Sequence, residues 1–122
     1  MLDHVSFAVT DLGRSKKFYT ASLAPFGYKV LSEFPGVIGM GPGGKPDLWI
    51  HEDKAKPAQL HVALASDTTA KVDAFHKAAL KAGGKDNGPP GPRPDYGPAY
   101  YAAYVFDPDG HNIEAVCHKG AP

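Results

Sequence analysis

The chain repeats itself. Residues 4–27 align without a gap on residues 61–84, an offset of 57. His4 meets His61, Val5 meets Val62, Ala8 meets Ala65 and Phe18 meets Phe75. Ala21 meets Ala78, Leu23 meets Leu80 and Gly27 meets Gly84, while Phe7/Leu64 and Arg14/Lys71 agree in type. Such a repeat dictates architecture, because both halves must be built from one plan. Neither half is large enough to hold a good core alone, so the two must pack together.

The plan is legible in the first half. Val5, Phe7 and Val9 alternate with His4, Ser6 and Ala8, the pattern of a half-buried strand over residues 2–9. Thr10 or Asp11 can cap a helix from Leu12, whose inner stripe is Phe18, Tyr19, Ser22 and Leu23. Pro25 and Gly27 end it. Strands are expected over 28–34, 37–40 and 47–51, and residues 53–58 read as a linker.

The second half restarts at residues 60–65, with His61, Ala63 and Ala65 on one face and Leu60, Val62 and Leu64 on the other. Ser66 or Asp67 is the expected cap of a second helix, and Gly83-Gly84 stops it. Residues 87–98, rich in Pro and Gly, read as a loop that can form a rim. A strand over 99–106 and a last strand from Asn112 complete the chain, joined by the turn Asp107-Pro108-Asp109-Gly110.

The expected fold is therefore α+β. Two paired βαβββ modules, 1–52 and 59–122, form one domain with a curved mixed sheet. Helices lie on its convex face, and the concave face is a metal-binding cup.

The odd-even pattern says what lines that cup. The apolar face of each strand packs on the helices, so His4 and His61 point the other way. In the last strand Ile113, Ala115 and Cys117 take the helix side, which turns Glu114 toward the histidines. A carboxylate in mid-strand is costly without a partner. Two imidazoles and one carboxylate suit a divalent ion, Fe, Mn, Zn or Ni, with positions left open. Tyr104, Tyr100 and Ala102 fall on the same side, with Tyr104 as proton donor and Tyr100 as a substrate contact. Trp49 holds in module one the place that Glu114 holds in module two, and walls the pocket. His51 is a further polar contact or a fourth ligand, and Arg93 and Tyr96 reach in from the rim. His111, beside the turn, is expected to be exposed, and Cys117 to be core.

Composition removes other classes. Thirteen basic and thirteen acidic residues cancel, so no net field attracts nucleic acid or an anionic membrane. No apolar run reaches a membrane span and the N-terminus has no signal-peptide pattern. The lone Cys117 excludes an intrachain disulfide and fits a reducing, cytoplasmic setting.

His4-Val5 followed by Asp11-Leu12 and Phe18-Tyr19, the repeat at His61-Val62, and the run from Asp107 to Glu114 together resemble the vicinal oxygen chelate superfamily. That group holds glyoxalase I, extradiol dioxygenases, and bleomycin and fosfomycin resistance proteins. The resemblance implies a metal held by His4, His61 and Glu114, a small-molecule substrate, and a homodimer. It implies a lyase, isomerase or dioxygenase, or alternatively a resistance-type protein sequestering an aromatic or drug-like molecule. Departures narrow the choice. Glyoxalase I usually has a Glu where Trp49 stands. The dioxygenase signature has a histidine upstream of its tyrosine, and residues 91–103 contain none. Two arginines, Arg14 and Arg93, are few for an anionic fosfomycin-type substrate.

Overall fold

The computed structural model describes residues 3–55 and 58–120. Each half has the expected plan. The first runs β1 (Val5–Val9), α1 (Leu12–Ser22), β2 (Lys29–Phe34), β3 (Val37–Gly41) and β4 (Leu48–Glu52). The second runs β5 (His61–Ser66), α2 (Thr69–Lys81), β6 (Lys85–Pro92), β7 (Tyr101–Phe106) and β8 (Asn112–Cys117). Two four-stranded mixed sheets result, in the orders β1-β4-β3-β2 and β5-β8-β7-β6. The first strand of each module pairs in parallel with the last. Part of the connection between modules, residues 56–57, lies outside the described residues. No helix among the described residues is long and apolar enough to cross a membrane.

Local chemistry explains the boundaries. The Asp11 side chain accepts the Arg14 N–H at 3.1 Å and caps α1. Glu52 Oε1 takes the Leu12 N–H at 3.0 Å, so this carboxylate, on the opposite face of β4 from Trp49, also serves the helix start. The cap of α2 is Thr68 rather than Ser66 or Asp67. Ser66 is still in the β5–β8 ladder, opposite Cys117, and two more residues are needed to turn the chain.

The larger correction is β6. Gly and Pro across 87–98 suggest a loop, yet Lys85–Pro92 is a strand. It is the outer strand of its sheet, where a missing N–H can face away from the ladder. Its pairing with β7 shifts register twice, between Asp86 and Gly88 and between Gly88 and Gly91. Prolines on that edge also discourage pairing with another chain.

One apolar cluster spans both modules. Phe7, Val9, Ile38, Met40 and Ile50 of the first meet Val72, Ile113, Ala115 and Cys117 of the second. The matched rings Phe18 and Phe75 are both fully buried, each worth about 1.5–3 kcal/mol. The matched glycines differ in purpose. Gly27 adopts φ +80°, a left-handed helix end. Gly84 is needed for space, since a Cβ would lie 2.6 Å from the Phe18 ring and 2.9 Å from the Ala79 carbonyl. Gly84→Ala should therefore cost about 1–3 kcal/mol by overpacking, read from the urea midpoint. A midpoint equal to wild type would show that the helix end relaxes freely.

The turn before β8 clasps the modules together. Asp107 is buried, and its Oδ1 accepts the N–H groups of Asp109 at 2.9 Å and His111 at 2.8 Å. Its Oδ2 accepts the Tyr19 hydroxyl at 2.6 Å. Burial, then the Asp107 charge, push that phenol well above its ordinary pKa. Asp109 accepts the N–H and the hydroxyl of Thr10. His111, expected at the surface, is fully buried. Its Nδ1 accepts the Leu60 N–H at 3.0 Å, which leaves the proton on Nε2 to be donated to the Ala8 carbonyl at 2.9 Å. Phe7 packs edge-on against the ring at 5.0 Å. A residue beside a turn is usually solvated, but this turn is the seam itself.

Candidate metal and substrate site

β8 and β5 carry the chemistry. In the parallel ladder Ala63 stands opposite Glu114 and His61 opposite Asn112. Residues two apart share a face, so His61 and Glu114 lie on one side, away from the helices. His61 Nε2 is 2.9 Å from Glu114 Oε1. The Glu114 side chain is 3% exposed and that of His61 54% exposed. The second carboxylate oxygen accepts the Tyr100 hydroxyl. Burial and the bond to Glu114 push the Tyr100 phenol up.

Tyr104 stands directly opposite Glu114 in the antiparallel β7–β8 ladder. Burial, then the Glu114 charge, push its phenol above its ordinary pKa. The Arg93 guanidinium lies 5.4 Å from the Tyr104 ring centre. It also donates to the carbonyls of Pro89, Gly91 and Pro92, tying the strand edge to the segment beyond it. Tyr96 packs edge-on to Tyr100 at 5.4 Å, and Tyr100 to His118 at 5.1 Å. A cleft of about 330 Å³ opens here, lined by Asn87, Gly88, Arg93, Tyr96, Tyr104 and Asn112. A hollow of about 490 Å³ lies elsewhere, between Arg14, Lys85 and Phe106. Its Arg14 pairs with Asp109 at 3.5 Å, and it holds neither His61 nor Glu114.

The expected set is thus gathered only in part. His61, Glu114, Tyr100, Tyr104 and Arg93 come together. His4 does not join them. Among the described residues no third His, Cys, Asp or Glu stands close enough to make a metal cluster with the pair. The seam explains this. The Ala8 carbonyl meets His111 beside Leu60, at the start of β5, whereas His4 shares a small pocket with Ala63, Leu64 and Ala65. β1 and β5 therefore run in opposite directions past one another. His4 thus falls opposite residue 64, three residues of strand, roughly 10 Å, from His61 along that direction. His4 is half exposed and bonds Asp3 through Nδ1 at 2.7 Å.

Trp49 and His51 lie on the corresponding face of module one, without a bulge in β4. Trp49 covers Gly39, where a Cβ would come within 2.7 Å of the indole. His51 is exposed. What the sequence reading missed is the grip of Tyr100 on Glu114. The even spacing of residues 100, 104 and 114 placed them on one face but could not say which phenol reaches the carboxylate.

The 2.9 Å His61–Glu114 separation is that of a hydrogen bond, and two ligand bonds of about 2.1 Å at a right angle would span a similar distance, about 3 Å.

The family model described as Glyoxalase/Bleomycin resistance protein/Dioxygenase superfamily matches residues 1–115. Among solved structures, a glyoxalase/bleomycin resistance protein from Albidiferax ferrireducens T118 is similar with a TM-score of 0.83 and 29% identity, over 96% of this chain and 98% of that one. A glyoxalase I mutant (V278E) from Zea mays gives 0.71 and 26%, over 94% of this chain and 45% of that longer one. Lactoylglutathione lyase from Agrobacterium tumefaciens shares the fold, at 0.71 and 19%, over 96% and 92%. No curated protein matches the sequence.

Proposed function

Because the chain belongs to the glyoxalase/bleomycin resistance protein/dioxygenase superfamily, the vicinal oxygen chelate group, we propose that it is a cytoplasmic metal-dependent enzyme acting on a small substrate with two adjacent oxygens. The observation that carries this is the His61–Glu114 pair, a buried carboxylate meeting an open imidazole at 2.9 Å. His61 and Glu114 of one chain would hold a divalent ion together with His4 from a second copy in a homodimer. The half-exposed His4, set apart within its own chain, motivates that assignment. When bound, the ion supplies Lewis acidity toward the substrate oxygens. The chain does the rest. Tyr104 offers a protonated hydroxyl beside Glu114, and Arg93 holds the Tyr104 ring in place. Tyr96, Asn87 and Asn112 bound the cleft that takes the remainder of the substrate. Trp49 and His51 contribute a wall from the second copy's module one.

Sequestration of an aromatic or drug-like compound is the second reading. It is favoured by the cleft between Tyr96 and Tyr104. Equilibrium dialysis against Mn, Zn, Ni and Fe(II), on protein purified without a histidine tag, separates the two. The enzyme reading expects one tightly held ion per chain, and a chain that retains none sinks it. Ligand binding that persists after chelation supports sequestration.

A further inference from the structure

We propose that Tyr100 is the positioning residue for Glu114, holding one carboxylate oxygen so that the other is turned toward His61 and the ion. This rests on the metal reading above. An ionised carboxylate is acceptor-only, with two oxygens that can serve one ion together or separately. Here they point to different partners. Oε1 meets His61 at 2.9 Å, and Oε2 accepts the Tyr100 hydroxyl. Oε2 spends one of its lone pairs on Tyr100, which fixes the plane of the carboxylate and leaves Oε1 as the oxygen facing His61.

Tyr100 is built to stay. Its ring is braced on one side by Tyr96 at 5.4 Å and on the other by His118 at 5.1 Å and 89°. Its carbonyl accepts the Arg93 N–H at 2.8 Å, which anchors the residue just outside β7. The two phenols thus divide the work. Tyr104 sits beneath Arg93 on the wall of the cleft. Tyr100 lines no part of that cleft and grips the carboxylate instead. The consequence is orientation: the Tyr100 hydroxyl would hold the one oxygen that faces His61 in the direction an ion would need.

The test compares Tyr100→Phe with Tyr104→Phe in the full-length chain, using Co2+ as the probe. Co2+ affinity by competition and the intensity of its visible absorption band are read for each. In Tyr100→Phe, affinity falls roughly tenfold, as for other groups that orient a ligand. The band changes in shape and intensity as the carboxylate turns. Tyr104→Phe changes both by less, and the ion-free Tyr100→Phe chain melts below wild type because one oxygen of the buried Glu114 loses its donor. An unchanged band in Tyr100→Phe overturns the assignment whatever the affinity does, as does an equal change in Tyr104→Phe. A wild-type chain that takes up no Co2+ overturns the metal reading along with it.

Discussion

Neither a His4→Ala chain nor a His61→Ala chain should hold an ion tightly, but a mixture of the two should. If a site joins His61 and Glu114 of one chain to His4 of its partner, each variant homodimer lacks a ligand in both sites. Removing a ligand should cost more than the 10–100-fold that a group merely orienting one controls. After subunits exchange, half the dimers are mixed. In each mixed dimer one site has lost both histidines and the other is intact, so about one quarter of the wild-type sites return, by the two-fold symmetry of such an interface. Equilibrium dialysis of ions before and after exchange through mild denaturant reads this directly. A site built inside a single chain predicts no recovery, because every chain in the mixture would still lack one ligand. The separation of His4 from the His61–Glu114 pair is what makes recovery the expected result.

That separation also marks what could be read from residues alone. Alternation along a strand is a local property, and it placed Glu114, Tyr104 and His61 on one face. The ladder keeps them there, with Tyr104 opposite Glu114. The repeat likewise predicted two modules of one plan, and both appear. It made His4 and His61 equivalent without bringing them together, because equivalence within a module says nothing about how modules pair. β6 was hidden for a different reason. Its prolines oppose a central strand, and only its position at the sheet edge lets Lys85–Pro92 remain extended. His111 was hidden by its neighbours. A turn of Asp, Pro and Gly is ordinarily wet, and nothing local reveals that the Ala8 carbonyl and the Leu60 N–H approach it from both modules.

The same turn should be the most stability-critical part of the molecule outside the apolar cluster. Asp107→Ala is expected to cost about 3–4 kcal/mol, because it strands two buried donors and a part-buried one at once. These are the Tyr19 hydroxyl and the N–H groups of Asp109 and His111. For a chain of this length the thermal midpoint should fall by roughly 10–15 °C. Two milder variants separate the contributions. Asp107→Asn keeps one oxygen for the two N–H groups and can still donate to the tyrosine oxygen, so about 1 kcal/mol is expected. Tyr19→Phe keeps the turn but leaves Oδ2 as a buried acceptor without its donor, and about 1.5–3 kcal/mol is expected. The Tyr19→Phe/Asp107→Asn double variant should lose less than the sum of the two, since both remove one contact. Additive losses would mean that the tyrosine and the aspartate stabilise the seam separately. A midpoint for Asp107→Ala within a few degrees of wild type would mean that the apolar cluster alone holds the modules together. In that case the seam would be free to open, and the fixed distance between His4 and His61 in one chain, on which the two-chain site depends, would lose its support.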